Sequence, residues 1–127
     1  MSVIDGWRAF ITSHDELALE GLLHPDVVFS SPVVHTPQRG RDITAKYLKA
    51  AVHVLSGDHF KINGEWHNAR GAVLEFETVI EGITVNGVDI ITVNAEGNLI
   101  IHFKVMIRPL KAIQLIHRLM GEALNPT

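Results

Sequence analysis

Asp89 stands between Val88 and Ile90 in the middle of an apolar, strand-like run. A carboxylate in such a place is paired, protonated or turned to water. The next run, "NLIIHFKVMI", offers His102 and Lys104 as partners, and an acid beside an imidazole or an ammonium can move a proton or anchor a substrate. A second candidate group is "VFSSPVVH", in which two serines close a strand at Pro32 and His35 follows in a loop. The Ser31 hydroxyl is no base near neutral pH unless another group activates it. His35 is an alternative base at a pocket mouth, although loop histidines mostly meet solvent. His14, His24, His53, His59, His67 and His117 show neither HxH nor HExxH spacing, so no metal site is expected. Glu75 and Glu77 read as a solvated strand face. No nucleophile elbow, P-loop or dinucleotide fingerprint occurs, and no cofactor is expected.

These groups need elements to position them. Ser2 and Asp5 suggest a capping box, with Ile4, Trp7, Phe10 and Ile11 forming the apolar stripe of a first helix that ends near Ser13. A second helix, "DELALEGLL", stops at His24-Pro25, and a strand runs from Val27 to Ser31. "RDITAKYLKAAVHVL" repeats apolar residues at helical spacing through Ile43, Tyr47, Ala50, Ala51 and Val54, and Ser56-Gly57 ends it. From His59 the period becomes alternating. Phe60, Ile62 and Trp66 share a face, "NARG" turns, Ala72 to Ile80 alternates, and Glu81-Gly82 turns again. Ile83 to Val93 is one long strand in which Asn86-Gly87 reads as a bulge. "NAEG" turns into the last strand, and Pro109 opens a helix with Leu110, Ile113, Ile116, Leu119 and Met120 inward.

The register around "NAEG" decides what Asp89 meets. A symmetric loop sets it opposite His102 and near Lys104, with Met106 on the same face; a three-residue loop with a glycine bulge sets it opposite Phe103. Pattern argues the other way about the face. Leu99, Ile101, Phe103, Val105 and Ile107 are uniformly apolar, which makes theirs the core side and leaves His102 and Lys104 in water. Both hold if a dimer partner or the last helix buries the apolar face. Trp7, Phe29, Tyr47, Phe60, Trp66 and Phe76 come from elements whose inner faces converge; such aromatics are mostly core, yet an apolar pocket with few polar groups is also the form of a small-molecule site.

The totals narrow the function classes. The 127 residues, 46% of them hydrophobic, make one domain over 1–127 with a core of its own. A net charge of -3 with scattered Lys and Arg argues against nucleic acid. There is no cysteine, which sits easily with a reducing cytoplasm. No leader-like or membrane-spanning run is read, so no membrane partner is expected. Helices followed by four consecutive antiparallel strands give an α+β class with helices on one face of a curved sheet.

Element order, length, the run "P...P..GR..I..YL" from Pro32 to Leu48 and "GVDIITVNAEGNLI" from Gly87 to Ile100 resemble the superfamily of nuclear transport factor 2, ketosteroid isomerase and the SnoaL-like polyketide cyclases. The likeness extends to about Met106. It implies a cone-shaped, curved antiparallel sheet with helices packed on its concave face, plus a C-terminal helix. Ketosteroid isomerases carry a base carboxylate just before the proline that Pro32 matches, so Ser31 holds that place. Trp7 falls where that family has an oxyanion-donating tyrosine, and Asp89 matches its second oxyanion donor. A serine cannot replace the base, and an indole N–H donates one hydrogen bond without useful acidity, so steroid isomerisation by that mechanism is not expected. The epoxide hydrolase branch places an arginine between inward acids, and no strand here does so.

The expectation is a cytoplasmic homodimer that binds a small apolar, oxygen-bearing molecule and acts, if it is an enzyme, as an isomerase, cyclase or hydrolase by acid/base chemistry. Asp89, His102, Ser31 and His35 are the catalytic candidates. Trp7, Tyr47, Phe60, Trp66, Lys104 and Met106 are the expected ligand contacts. The competing class is a non-enzymatic ligand-binding or dimerisation module of the same fold.

Overall fold

The first helix is set by its own ends. Ser2 Oγ accepts the Asp5 N–H while the Asp5 carboxylate accepts the Ser2 N–H, and this capping box opens α1 (Val3–Ser13). Val3, Ile4, Trp7 and Phe10 recur at helical spacing and are buried. Arg8 on the same helix pairs with Asp5 and with Glu65 across on the sheet, which ties the helix to the sheet's far edge. The structure, a computed structural model, describes residues 2–125. Asp15 caps α2 (Glu16–Leu22) by accepting the N–H groups of Leu17 and Ala18, and β1 (Leu23–Ser30) follows without a loop. After a two-residue strand, β2 (Gln38–Arg39), α3 runs Arg41–Leu55. Its buried set, Thr44, Ala45, Leu48, Ala50 and Val52, is broader than the expected stripe and leaves Ile43 exposed, because the helix packs on both β1 and the last helix.

The rest is a meander, β3 (Lys61–Asn68), β4 (Gly71–Ile80), β5 (Ile83–Val93) and β6 (Ile100–Arg108), closed by α4 (Leu110–Leu124). The sheet order is β2-β1-β6-β5-β4-β3. The sheet is mixed rather than wholly antiparallel, because β1 lies parallel to β6. The whole meander and α3 separate those two strands in sequence, and a long crossover of that kind permits parallel pairing. The sheet is curved and unclosed, and the helices cover its concave face.

Asn86-Gly87 is not a bulge: the β4–β5 ladder runs unbroken through Asn86↔Glu77 and Gly87↔Phe76. Gly87 instead permits a close approach, since a Cβ there would lie 2.6 Å from both the Phe76 ring and the Met106 carbonyl oxygen. The irregularities lie elsewhere, between Ile62 and Gly64 in β3 and at Thr92/Val93 against β6, and each adds a residue to one strand and turns the side chains beyond it to the other face. Inward residues such as Leu74, Phe76, Ile91 and Phe103 are almost wholly buried against Trp7, Phe10, Leu19 and Leu48 from the helices. Phe103 alone, fully buried, contributes on the order of 2–3 kcal/mol of transfer free energy.

Candidate functional site

Between the concave face and the helices lies a cavity of about 220 Å³. Trp7 and Ile11 reach it from α1, Phe29 from β1, Tyr47 and Leu55 from α3, and Phe60 from the connection into β3. Phe76, Asp89, Phe103, Val105 and Ile107 form the sheet wall, while Ile116, His117 and Met120 of α4 close another side. The mouth carries the loop Ser31 to Val34 and Ser56, whose hydroxyl lies 3.1 Å from Nε2 of His14.

Asp89 is the one charged group in the sheet wall, and it is 8% exposed. Its neighbours explain its state. Burial pushes the carboxyl up to about 7, against a weaker opposing pull from the Trp7 indole N–H. That indole N–H falls outside strict hydrogen-bond geometry and has no other partner. The Trp7 ring is itself fixed, edge-on against Phe103 with centroids 4.6 Å apart and tilted against Phe10 at 5.7 Å. The Trp7 N–H is therefore a buried donor left unsatisfied beside a carboxyl that lines the cavity and has no ion-pair partner among the described residues, and the Thr44 hydroxyl is a second unsatisfied group, away from the cavity. Buried groups left so are uncommon, and each carries a desolvation penalty of about 1–3 kcal/mol or more.

Ser31 lines the mouth, but its hydroxyl serves the backbone. Oγ accepts the N–H of Val33 at 3.0 Å and of Val34 at 3.2 Å, a serine turn that presents both valines to the opening. His35, one residue further, is exposed and does not line the cavity. Trp7, Tyr47, Phe60, Ser31 and Asp89 thus come together at one cavity.

His102, Lys104 and Met106 do not join them. The partner of Asp89 is Val105, a register that neither loop alternative anticipated. Asn94 accounts for it: its N–H donates to the Leu99 carbonyl, and its side-chain oxygen accepts the N–H groups of Asn98 and Leu99, holding a longer loop. A bulge at Ile101 then separates Val93↔Ile100 from Thr92↔His102. Phe103, Val105 and Ile107 consequently share the concave face with Asp89, whereas His102, Lys104 and Met106 pair across to Thr92, Ile90 and Val88 on the convex face. There His102 Nε2 shares a hydrogen bond with Ser30 Oγ at 3.0 Å. Burial lowers the His102 pKa, and the Lys104 charge lowers it further. Trp66 is likewise displaced, 59% exposed on the convex face and folded over Gly64, because the bulge after Ile62 reverses the alternation of β3.

The cavity wall also contains residues that sequence reasoning did not assign to it. The helical spacing marks Ile116 and Met120 as inward on the last helix, but nothing in the pattern says that the helix seats over Asp89's strand. His117 lacks metal-site spacing and carries no other signal in the sequence. Among the described residues, no three His, Cys, Asp or Glu side chains gather to hold a metal, and no helix is long and apolar enough to cross a membrane.

A SnoaL-like domain model matches residues 4–102. Among solved structures, a steroid delta-isomerase from Pseudomonas aeruginosa is 31% identical with a TM-score of 0.88, over 96% of this chain and 88% of that one. An uncharacterized protein with a cystatin-like fold from Silicibacter pomeroyi is 30% identical with a TM-score of 0.84, over 94% of this chain and 82% of that one. A nuclear transport factor 2-like protein of unknown function from Mesorhizobium loti shares the fold at 17% identity and a TM-score of 0.70, over 84% of this chain and 88% of that one. No curated protein matches. The wall supplied by α4 lies outside the matched segment.

Proposed function

The chain belongs to the SnoaL-like family, and on that premise we propose that its cavity binds a small, largely apolar, oxygen-bearing molecule, with the oxygen held by the Asp89 carboxyl and the Trp7 indole N–H. The observation that carries this reading is the buried Asp89 carboxyl, without an ion-pair partner among the described residues, at the wall of a largely apolar cavity and beside the unsatisfied Trp7 N–H. Below about pH 7 the Asp89 carboxyl is protonated and donates. Two donors on one carbonyl or phenolic oxygen draw electron density toward it, which is the stabilisation that isomerisation, cyclisation or hydrolysis through an oxyanion needs. A neighbour 31% identical is described as a steroid delta-isomerase, which favours enolisation of a ketone as the reaction to try first. Ser31 argues for a second reading, binding without turnover. It stands where that chemistry needs a base, and its oxygen already accepts two backbone N–H groups.

A thermal-shift screen of apolar ketones and phenols at pH 6 tests the site. Wild-type protein is expected to gain Tm, and Asp89→Leu, which keeps the branch at Cγ but removes the polar atoms, is expected to lose the gain; equal gains in both remove Asp89 as the anchor. Ultraviolet assay of a β,γ-unsaturated ketone that binds then separates the readings. Appearance of the conjugated enone supports catalysis, and binding without it supports the second reading.

We also propose that a second copy covers the convex face. Its middle is apolar, with Val73, Val88, Ile90 and Met106, and it carries Glu75 and Glu77 on β4 against Lys104 and Arg108 on β6. A two-fold axis near β5 sets the acids of one copy against the bases of the other. Sedimentation equilibrium should give twice the chain mass for wild type and a monomer for Met106→Glu; a monomeric wild type ends the proposal. The absence of cysteine suits the cytoplasm, where we place the protein.

A further inference from the structure

We propose that the same cavity takes up hydrophobic amines, bound as ammonium ions whose N–H groups donate to the Asp89 carboxylate while their carbon skeleton lies among the aromatic rings. The inference rests on the reading of the cavity as a ligand site and adds a second class of occupant to it.

The wall chemistry carries the argument. Asp89 is 8% exposed and has no ion-pair partner among the described residues, and neither Lys nor Arg lines the cavity. A carboxylate buried without a counter-ion is costly, and the occupant that offsets the cost most is a cation. The rest of the wall selects which cation. Trp7, Phe29, Tyr47, Phe60, Phe76 and Phe103 all contribute rings, held against one another as Phe29–Tyr47 at 5.7 Å and Phe60–Phe76 at 5.9 Å. Aromatic rings attract organic cations through their quadrupoles and bury alkyl or aryl groups through area. A hard metal ion finds one carboxylate here, far from the six or so oxygens that Ca²⁺ or Mg²⁺ takes. An ammonium with one apolar substituent satisfies both demands at once.

The two ligand classes use opposite states of one carboxyl. An oxygen acceptor needs it protonated and an ammonium needs it ionised, and with a carboxyl that titrates at about 7 the pH chooses between them. Linkage fixes the sign. Ammonium affinity rises by about tenfold from pH 6 to pH 8, and the affinity of a neutral acceptor falls or stays level over the same interval. The other titratable groups facing the cavity are Tyr47 from α3 and His117 from α4, with the Trp7 N–H as the polar group from α1. Of these only His117 belongs to a residue type that ordinarily changes charge near neutrality, and its protonation at the mouth would also repel an ammonium.

The test uses benzylamine and benzyl alcohol, matched in shape and differing in charge, titrated by NMR into the full chain at pH 6 and pH 8. The proposal expects benzylamine to bind about tenfold tighter at pH 8, to keep that rise in His117→Gln, and to lose it in Asp89→Asn. The pH series on wild type and His117→Gln together decide the matter even if Asp89→Asn fails to fold, and equal benzylamine affinity at pH 6 and pH 8 overturns the proposal. Benzyl alcohol binding without benzylamine binding at pH 8 overturns the amine proposal and leaves the ligand site standing, whereas no binding of either overturns both. A rise that disappears in His117→Gln overturns the assignment to Asp89.

Discussion

The two faces of the β5–β6 ladder treat their polar groups in opposite ways. On the concave face Asp89 is buried beside an indole N–H that does not satisfy it, and burial raises its pKa. On the convex face His102 is bonded to Ser30, and burial together with Lys104 lowers its pKa. Both shifts favour the neutral form, but only the convex group has its hydrogen bond made inside the protein. The contrast separates a polar group that the fold has provided for from one that it has left for something else to satisfy. It also points to the concave face as the place to seek function, because there the unsatisfied donor sits beside a cavity-lining carboxyl, whereas the unsatisfied Thr44 hydroxyl lines no such cavity.

The strongest way to break this contrast is through packing on neighbouring residues. Phe103 is fully buried against Trp7 and Phe29, while Lys104, next in the chain, points to the convex face. Phe103→Ala is expected to cost about 3–5 kcal/mol and Lys104→Ala less than about 0.5 kcal/mol, both read by urea unfolding. Comparable losses at the two positions would mean that the faces are assigned the wrong way round.

The next effect in size is electrostatic. The folded-state pKa of Asp89 is raised to about 7 from 3.8, so its contribution to stability is fully present below pH 4 and is lost as the pH rises through 7. The loss at pH 8 is at most about 4 kcal/mol. Asp89→Asn cannot ionise and escapes it. Wild-type Tm is expected to fall between pH 5 and pH 8 more steeply than that of Asp89→Asn, so that the variant becomes the more stable protein at the alkaline end. Parallel Tm curves would show that Asp89 is ionised throughout and is paired or hydrated after all.

Asp89 was conspicuous in the sequence because an acid between Val88 and Ile90 has few places to go. The span of α3 was readable from the helical spacing of "RDITAKYLKAAVHVL" and its stop at Ser56-Gly57, and the capping box of α1 from Ser2 and Asp5. His102, Lys104 and Trp66 were misplaced for one shared reason. A strand's alternation says which residues lie together but not which face they take once a bulge intervenes. The bulge at Ile101 carries no glycine or proline, the one after Ile62 is marked only by the Asn63-Gly64 pair inside an otherwise alternating strand, and the longer loop depends on the side chain of Asn94 reaching Asn98 and Leu99. The cavity's α4 wall was hidden differently. Ile116 and Met120 announce an amphipathic helix, whereas its seat is decided by what β5 and β6 present to it. The apolar set Leu99, Ile101, Phe103, Val105 and Ile107 points to the core side, which holds for Phe103, Val105 and Ile107 and fails at Ile101, which the bulge turns outward while Ile100 is buried.

The smallest effect examines the satisfied side. Burial is the larger cause of the lowered His102 pKa, and the neighbouring Lys104 charge is the lesser. Removing the charge in Lys104→Ala should move His102 part of the way back toward its ordinary value and no further, because burial and the bond to Ser30 persist. A lowered histidine binds its proton more readily in the unfolded chain, so its contribution to stability is present above pH 6.5 and lost as the pH falls. The variant should reduce that acid-side loss slightly while leaving stability at pH 8 nearly unchanged. An NMR titration of the His102 ring measures the shift directly, and Ser30→Ala in the same titration tests whether the hydrogen bond also matters. An unmoved His102 in Lys104→Ala would show that the lysine charge is screened by solvent, or neutralised by acids such as Glu75 and Glu77 of a second copy. Repeating the titration in an uncharged Met106→Gln variant shown by sedimentation to be monomeric distinguishes the two, since only the second explanation predicts that His102 would respond to Lys104 once the copies separate.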